Sequence, residues 1–139
     1  MKIVISGSLS FPKRMIKVKK TLQKQGHQVF IPPLTHEYAN GTRKKGNLKE
    51  EVQAKKTTDT LKLYFKEIKK SNALLVLNYT NKGIRGYIGA NTLIEMAFAH
   101  ILGKKIYLLN PIPKMAYQPE IVYMEPTVIN KNLDLIQKS

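Results

Sequence analysis

The sequence predicts an α/β fold in which a doubly wound parallel sheet of about five strands carries helices on both faces. Short apolar segments alternate along the chain with segments of helical spacing. Residues 73–77 are apolar without alternation, as expected for a strand that helices cover on both sides. The chain has 139 residues, 42% of them hydrophobic, which suffices for one compact core, so we expect residues 1–139 to form a single domain.

The first part of the chain predicts two strands, a helix between them and a polar loop. Residues 3–5 are a β-branched run, and apolar side chains at helical spacing follow. We expect Ser10 to cap this first helix and Gly26 to end it. Residues 28–31 are typical of a second strand, and residues 34–46 of a mobile surface loop that could serve as a lid.

The rest of the chain predicts further helices and three more strands. Asn47 and Glu50 form a capping-box pattern, and the helical spacing that follows fits one long or two short helices up to Ser71. The helix predicted at residues 92–102 is apolar nearly all round, so we expect it to face the sheet on one side and a second subunit on another. The other predicted elements are strands at residues 73–77, 106–109 and 127–129 and a short helix after Asn132.

The charge of the chain suggests an anionic partner without identifying it. The net charge is +15, from 24 Lys+Arg against 9 Asp+Glu, which suggests nucleic acid or a phosphorylated metabolite. However, the excess is lysine, spread over several elements and not gathered in a stripe with interleaved aromatic residues. Nucleic-acid binding is therefore not predicted as a main role.

Several classes of function are excluded by composition and motif. The absence of cysteine removes disulfides, thiolate catalysis and Cys-based metal sites, and the three histidines lack metal-ligand spacing. There is no dinucleotide fingerprint and no P-loop lysine signature, so we predict neither a metal nor a cofactor. No apolar run could span a membrane, and the start turns polar too soon for a signal peptide. We expect a soluble, cytoplasmic protein that does not contact a membrane.

Glu95 is the candidate reactive group. It is the only acidic residue between Glu67 and Glu120, and it opens a helix just beyond the carboxyl end of the strand at residues 73–77, where open α/β sheets bind ligands. The first turn of a helix favours an ionised carboxylate, which is the form a nucleophile needs. A structural interpretation stays open, because Thr92 and Glu95 also form a capping-box pattern.

Side chains near the predicted strand ends are candidates for substrate binding. Gly7 and Ser8, in the turn after the first strand, could hold a phosphate or a sugar hydroxyl, or form only an ordinary turn. Tyr87 could stack on a base or sugar, or simply pack its ring. Asn78 could form a hydrogen bond with the substrate, or only shape a turn.

Four segments, spread over nearly the whole chain, carry a family resemblance: residues 3–8 (IVISGS), 73–78 (ALLVLN), 89–99 (GANTLIEMAFA) and 103–106 (GKKI). Together they resemble the nucleoside 2-deoxyribosyltransferase-like family, which is related to the deoxynucleoside monophosphate N-glycosidases. The resemblance implies a flavodoxin-like, Rossmann-like sheet. In that family the catalytic Glu lies in a segment of the form E-x-G/A-x-A, which Glu95-Met96-Ala97-Phe98-Ala99 matches.

The resemblance also implies a reaction and a set of contacts. Glu95 would attack the anomeric carbon of a (deoxy)ribosyl group, and the glycosyl-enzyme would pass to another base or to water, as in a retaining glycosidase. Gly7 and Ser8 would contact the sugar or the 5′ end, and Gly89 and Asn91 would surround the ribose. The partner would be a nucleoside or a nucleotide. Because family members complete each site with groups from a neighbouring subunit, a homodimer or higher homo-oligomer is expected.

The chain departs from the family pattern at two positions. Known transferases have an Asp before the central strand and another in the glycine loop, where this sequence has Tyr64 and Gly89. Neither can supply a proton as a carboxylic acid does, and Asp59 and Glu67 are out of register. The general acid is therefore unassigned. A nucleotide-binding or sensing module that keeps the pocket without the chemistry is the alternative.

Overall fold

A computed structural model describes residues 1–136 and contains a sheet of five parallel strands. They lie side by side in the order β2-β1-β3-β4-β5, which is the flavodoxin-like arrangement. The predicted fold class is therefore confirmed. The strands are β1 (Lys2–Gly7), β2 (Gln28–Phe30), β3 (Ala73–Leu77), β4 (Lys105–Leu108) and β5 (Thr127–Val128).

Helices connect the strands and pack on both faces of the sheet. They are α1 (Pro12–Lys24), α2 (Thr35–Ala39), α3 (Leu48–Thr58), α4 (Thr60–Lys70), α5 (Ala90–Ile101) and α6 (Gln118–Tyr123), followed by a 3-10 turn at Leu133–Leu135. Within residues 1–136, none of these helices has the length and apolar character needed to cross a bilayer.

The core forms two layers because alternate side chains of a strand point to opposite faces. Ile3 and Ile5 of β1 pack with Met15 of α1 on one face. Val4 packs with residues of α4 and α5, such as Met96, on the other face. All five residues of β3 are buried, since both layers cover this central strand.

The structure settles how the segment before β3 is divided. Asp59 has a left-handed backbone conformation, with φ 43° and ψ 59°, and it separates α3 from α4. The predicted cap at Asn47 is present, because its side chain accepts a hydrogen bond from the Glu50 amide at 2.9 Å. None of the residues of α3 is buried, so this helix lies on the outside of the fold.

Two local predictions in the first part of the chain are wrong. Residues 34–46 are not all loop, because α2 forms within them around Thr35, which is buried and donates a hydrogen bond to the Pro32 carbonyl at 2.6 Å. Ser10 does not cap α1; the cap position is Phe11, which makes no side-chain cap bond. Gly26 follows the last residues of α1 with φ +91°, as expected for a glycine that ends a helix.

Candidate active site

A cavity of about 490 Å³ lies at the carboxyl ends of β1 and β3. The connections from these two neighbouring strands run to opposite faces of the sheet, and such a switch point is where open α/β sheets bind ligands. The volume falls within the range of small-molecule sites. The walls come from the turn after β1, the loop after β3, and the starts of α4 and α5, while α3 supplies a further wall.

Glu95 lines this cavity from α5 and is only 5% exposed. The hydroxyl of Ser6, a fully buried residue of β1, donates a hydrogen bond to its Oε1 atom. No buried side-chain oxygen or nitrogen in residues 1–136 lacks a hydrogen-bond partner. Since no bond to Oε2 occurs there, this second oxygen reaches the open space of the cavity.

The expected position of Glu95 in the first helical turn is wrong. Helix α5 begins at Ala90 after Gly89, so Glu95 lies in the second turn, where the effect of the helix end has faded. The capping-box interpretation is also wrong, because the cap position is Gly89 and the partner of the carboxylate is the Ser6 hydroxyl. The carboxylate is therefore not occupied by a main-chain amide.

Burial raises the pKa of Glu95 from 4.5 to about 7. The Ser6 hydrogen bond and the charge of Lys55 both lower this pKa, but they do not offset the burial. The sequence predicted that the ionised form would be favoured, and the structure corrects this because burial penalises charge. A carboxyl group perturbed in this way inside a cleft is typical of functional sites.

Tyr64, which the resemblance aligns with an Asp of the family pattern, is 1% exposed. Its hydroxyl donates a hydrogen bond to the Ile5 carbonyl at 3.0 Å. Burial, and secondarily the carboxylate of Glu95, raise the pKa of Tyr64 well above its usual range. The hydroxyl therefore holds β1 in place next to Ser6 and is poorly suited to give a proton to a substrate.

Most of the residues predicted to bind substrate do line the cavity. At Gly7, an added Cβ would lie 3.1 Å from the Leu77 carbonyl oxygen, so the missing side chain lets β1 end close to β3. The Ser8 hydroxyl donates to the Ser10 hydroxyl at 2.9 Å, and both serines face the cavity. The predicted residues that line it are Gly7, Ser8, Tyr87, Gly89, Asn91 and Glu95.

Asn78 does not line the cavity, so its predicted role in binding the substrate is wrong. It is 1% exposed, and its Nδ2 donates hydrogen bonds to the carbonyls of Asn110 at 2.8 Å and Pro111 at 3.2 Å. Its Oδ1 accepts a hydrogen bond from the Asn110 amide at 2.9 Å. The side chain thus ties the end of β3 to the segment after β4, as in its structural interpretation.

Gly86 packs into the same corner, and we expect Gly86→Ala to lower the free energy of unfolding by roughly 2 to 3 kcal/mol. Its φ is +68°, and an added Cβ would lie 2.5 Å from the Pro111 carbonyl oxygen. Urea denaturation measures the loss. Gly83→Ala is the matched control, because Gly83 has φ +73° with nothing within 4 Å, and should lose only about 1 kcal/mol. Equal losses would contradict the steric argument.

The wall that α3 contributes was not predicted from the sequence. Glu51, Ala54, Lys55 and Thr58 all line the cavity. Their spacing of three and four residues places them on one face of a helix, and this pattern was visible in the sequence. The face carries one acidic and one basic residue, and within it Glu51 and Ala54 are half-buried while Lys55 and Thr58 are exposed.

An aromatic wall was also missed. Phe11 and Tyr79 line the cavity, and their rings meet edge to face with centroids 5.3 Å apart. The Arg14 guanidinium lies 4.7 Å from the centroid of the Tyr79 ring and so braces it from outside the cavity lining. No sequence pattern linked these residues, because Tyr79 follows β3 and the others follow β1.

No protein-family model matches the chain, and no curated protein matches it significantly. Among solved structures, the chain is similar to a CMP N-glycosidase, BcmB, from Clostridium botulinum. The match covers 92% of this chain and 85% of that chain, with 16% sequence identity and a TM-score of 0.51. At this identity the likeness shows the fold, so the chain shares a flavodoxin-like fold with a nucleotide N-glycosidase.

Proposed function

We propose that this protein cleaves or transfers at the N-glycosidic bond of a (deoxy)nucleoside or nucleoside 5′-monophosphate, with Glu95 as the nucleophile. The observation that carries the proposal is the Glu95 carboxylate, with Oε1 held by Ser6 and Oε2 left open to the cavity. The resemblance of the segment around Glu95 and the fold shared with an N-glycosidase support the same assignment.

The reaction follows from this arrangement. Oε2 of Glu95 attacks the anomeric carbon, the bond from that carbon to the base breaks, and its electron pair leaves with the base. Water or a second base then displaces Glu95 from the glycosyl ester with retention of configuration. Ser6 restrains the carboxylate throughout.

Only the ionised form of Glu95 attacks, so the rate of base release should rise with pH through about 7.

The rest of the cavity suits a nucleotide. Lys45, Lys55 and Lys82 line it and supply positive charge for a 5′-phosphate. Phe11 and Tyr79 offer an apolar surface for a base. In the proposed complex, Gly7 and Ser8 contact the sugar or the 5′ end, Gly89 and Asn91 surround the ribose, and Tyr87 stacks on the base or sugar.

The proposal is tested by incubating the purified protein with deoxynucleosides, ribonucleosides and their 5′-monophosphates. We expect chromatography to detect free base from at least one of them, with the monophosphates cleaved faster than the nucleosides because of the lysines in the wall. If no compound in the panel is cleaved, enzymatic activity of this kind is contradicted.

One observation favours a second candidate, a nucleotide-binding or sensing module. Tyr64 and Gly89 stand where the family pattern has carboxylic acids, and the Tyr64 hydroxyl is already bonded to the Ile5 carbonyl. A sensor would show a rise in melting temperature with a nucleotide that is never consumed. Consumption of the stabilising nucleotide would exclude a purely binding role.

We further propose that a second copy of the chain covers the outer surface of α4 and α5. Phe65 of α4 and Phe98 of α5 meet with ring centroids 5.4 Å apart. Ile94 and Ile101 flank Phe98 on the same face of α5, and Ile101 is 78% exposed. An apolar stripe of this kind on a helix surface is a typical site of subunit association.

Ile101→Lys should weaken this association, because it places a charge where apolar surface would be buried. We expect the wild type to sediment as a dimer or larger species, and the variant to shift toward the monomer at the same concentration. Lys104→Ala, which changes a neighbouring charged residue outside the stripe, should leave the distribution unchanged. A wild type that is monomeric at high concentration would contradict the proposal.

A further inference from the structure

The cavity contains a second carboxylate besides Glu95. Among the acidic residues within 1–136, only Glu51 and Glu95 line it. The Glu51 carboxylate takes part in none of the ion pairs of this part of the chain, which join Lys2 to Glu67, Arg43 to Glu37 and Lys62 to Asp59. No ion pair therefore holds the Glu51 carboxylate, which lies in the first turn of α3.

The face of α3 that carries Glu51 lines the same cavity as Glu95. Lys55 lies one helical turn after Glu51 on this face, and its charge lowers the pKa of the Glu95 carboxyl. Lys55 is therefore within electrostatic reach of Glu95 across the cavity. Since Glu51 shares the lining with Lys55, the two carboxylates line one cavity of about 490 Å³ from different helices, Glu51 from α3 and Glu95 from α5.

Other groups that could take a proton are poorly placed for it. None of the histidines in the chain lines the cavity described for residues 1–136. The Tyr64 hydroxyl is bonded to the Ile5 carbonyl, and burial raises the pKa of Tyr64. Lys45, Lys55 and Lys82 are assigned to the 5′-phosphate in the proposed function. Glu51 is left as the carboxylate that can act as a base while Glu95 is bonded to the sugar.

We infer that Glu51 is the general base that activates water to hydrolyse the glycosyl ester on Glu95; this rests on the proposed function. In a retaining reaction, water approaches the anomeric carbon from the side that the base has left, opposite the nucleophile. The group that activates this water must therefore come from a different wall than Glu95. Glu51 on α3 meets this requirement, because Glu95 belongs to α5.

The step balances without a further reactant. The Glu51 carboxylate takes a proton from water as the water oxygen bonds to the anomeric carbon. The bond from that carbon to Oε2 of Glu95 breaks, and its electron pair restores the Glu95 carboxylate. The proton on Glu51 is then released to solvent and replaces the one taken up by the departed base, so the net reaction is nucleotide plus water giving base plus sugar phosphate.

Glu51→Gln tests this role with the substrate that the wild type cleaves best. We expect a burst of one base per active site at the wild-type rate, followed by steady-state turnover that is roughly 10²-fold to 10⁴-fold slower. Intact-protein mass spectrometry should show the glycosyl ester accumulating. Sodium azide, an anion with no proton to lose, should restore turnover and yield the glycosyl azide.

Glu50→Gln is the matched control, because Glu50 is the adjacent, exposed carboxylate of the same helix and does not line the cavity. It should keep the wild-type steady-state rate. An unchanged steady-state rate in Glu51→Gln, an equal loss of burst and turnover, or a failure of azide to restore turnover would overturn the role of Glu51 and leave Glu95 as nucleophile. A wild type that releases no base would overturn the proposed function and this inference together.

Discussion

Glu95→Gln should reduce the release of free base by roughly 10³-fold or more, because it removes the nucleophile and keeps the shape of the side chain. An amide oxygen is too weak a nucleophile to form the glycosyl ester, although it can still accept the hydrogen bond from Ser6. Initial rates of base release at saturating nucleotide measure the loss. No covalent adduct should appear in the mass spectrum of the variant.

The loss must be separated from a loss of binding or folding. Glu95→Gln should still be stabilised thermally by the nucleotide, because the remaining walls of the cavity are unchanged. Glu67→Gln is the control, since Glu67 pairs with Lys2 at 2.8 Å and does not line the cavity. It should cleave at the wild-type rate. Full activity of the Glu95 variant would remove Glu95 from the reaction.

The fold could be predicted from the sequence because its strands are short apolar runs that polar turns separate. The observed bounds of β3 match the predicted residues 73–77, since a short apolar run without alternation is typical of a strand that helices cover on both faces. Helix α2 was not predicted because its segment is polar in composition. Its first residue, Thr35, is held by burial and by a hydrogen bond to the Pro32 carbonyl, and neither can be read from the sequence.

The candidate site was only partly predictable, for a physical reason. The position of Glu95 after β3 identified it, but its partner Ser6 lies 89 residues away and meets it only because β1 pairs with β3. The prediction that Asn78 binds substrate fails for the same reason, since its hydrogen-bond partner Asn110 lies 32 residues further along the chain. The protonation of Glu95 depends on burial, which local sequence does not reveal.

Glu95 should make the protein less stable as the pH rises through neutrality. Burial raises its pKa from 4.5 to about 7 in the folded state, so the folded chain holds this proton more tightly than the unfolded chain does. The stability that comes from the proton on Glu95 is fully present below about pH 4.5 and is lost as the pH passes about 7. The free energy of unfolding should fall by about 3 kcal/mol across this range.

Glu95→Gln isolates this effect because its amide does not titrate. Urea denaturation of the wild type and the variant at several pH values between 4 and 8 gives two curves, in which all other ionisable groups contribute equally. Between pH 4 and pH 8, we expect the free energy of unfolding of the variant to rise by about 3 kcal/mol relative to that of the wild type. Parallel curves would mean that the pKa of Glu95 is the same in the folded and the unfolded chain, which would contradict the prediction. If Glu95→Gln is inactive and shows this rise in the free energy of unfolding, the Glu95 carboxylate is retained for chemistry, since its charge weakens the fold at neutral and alkaline pH.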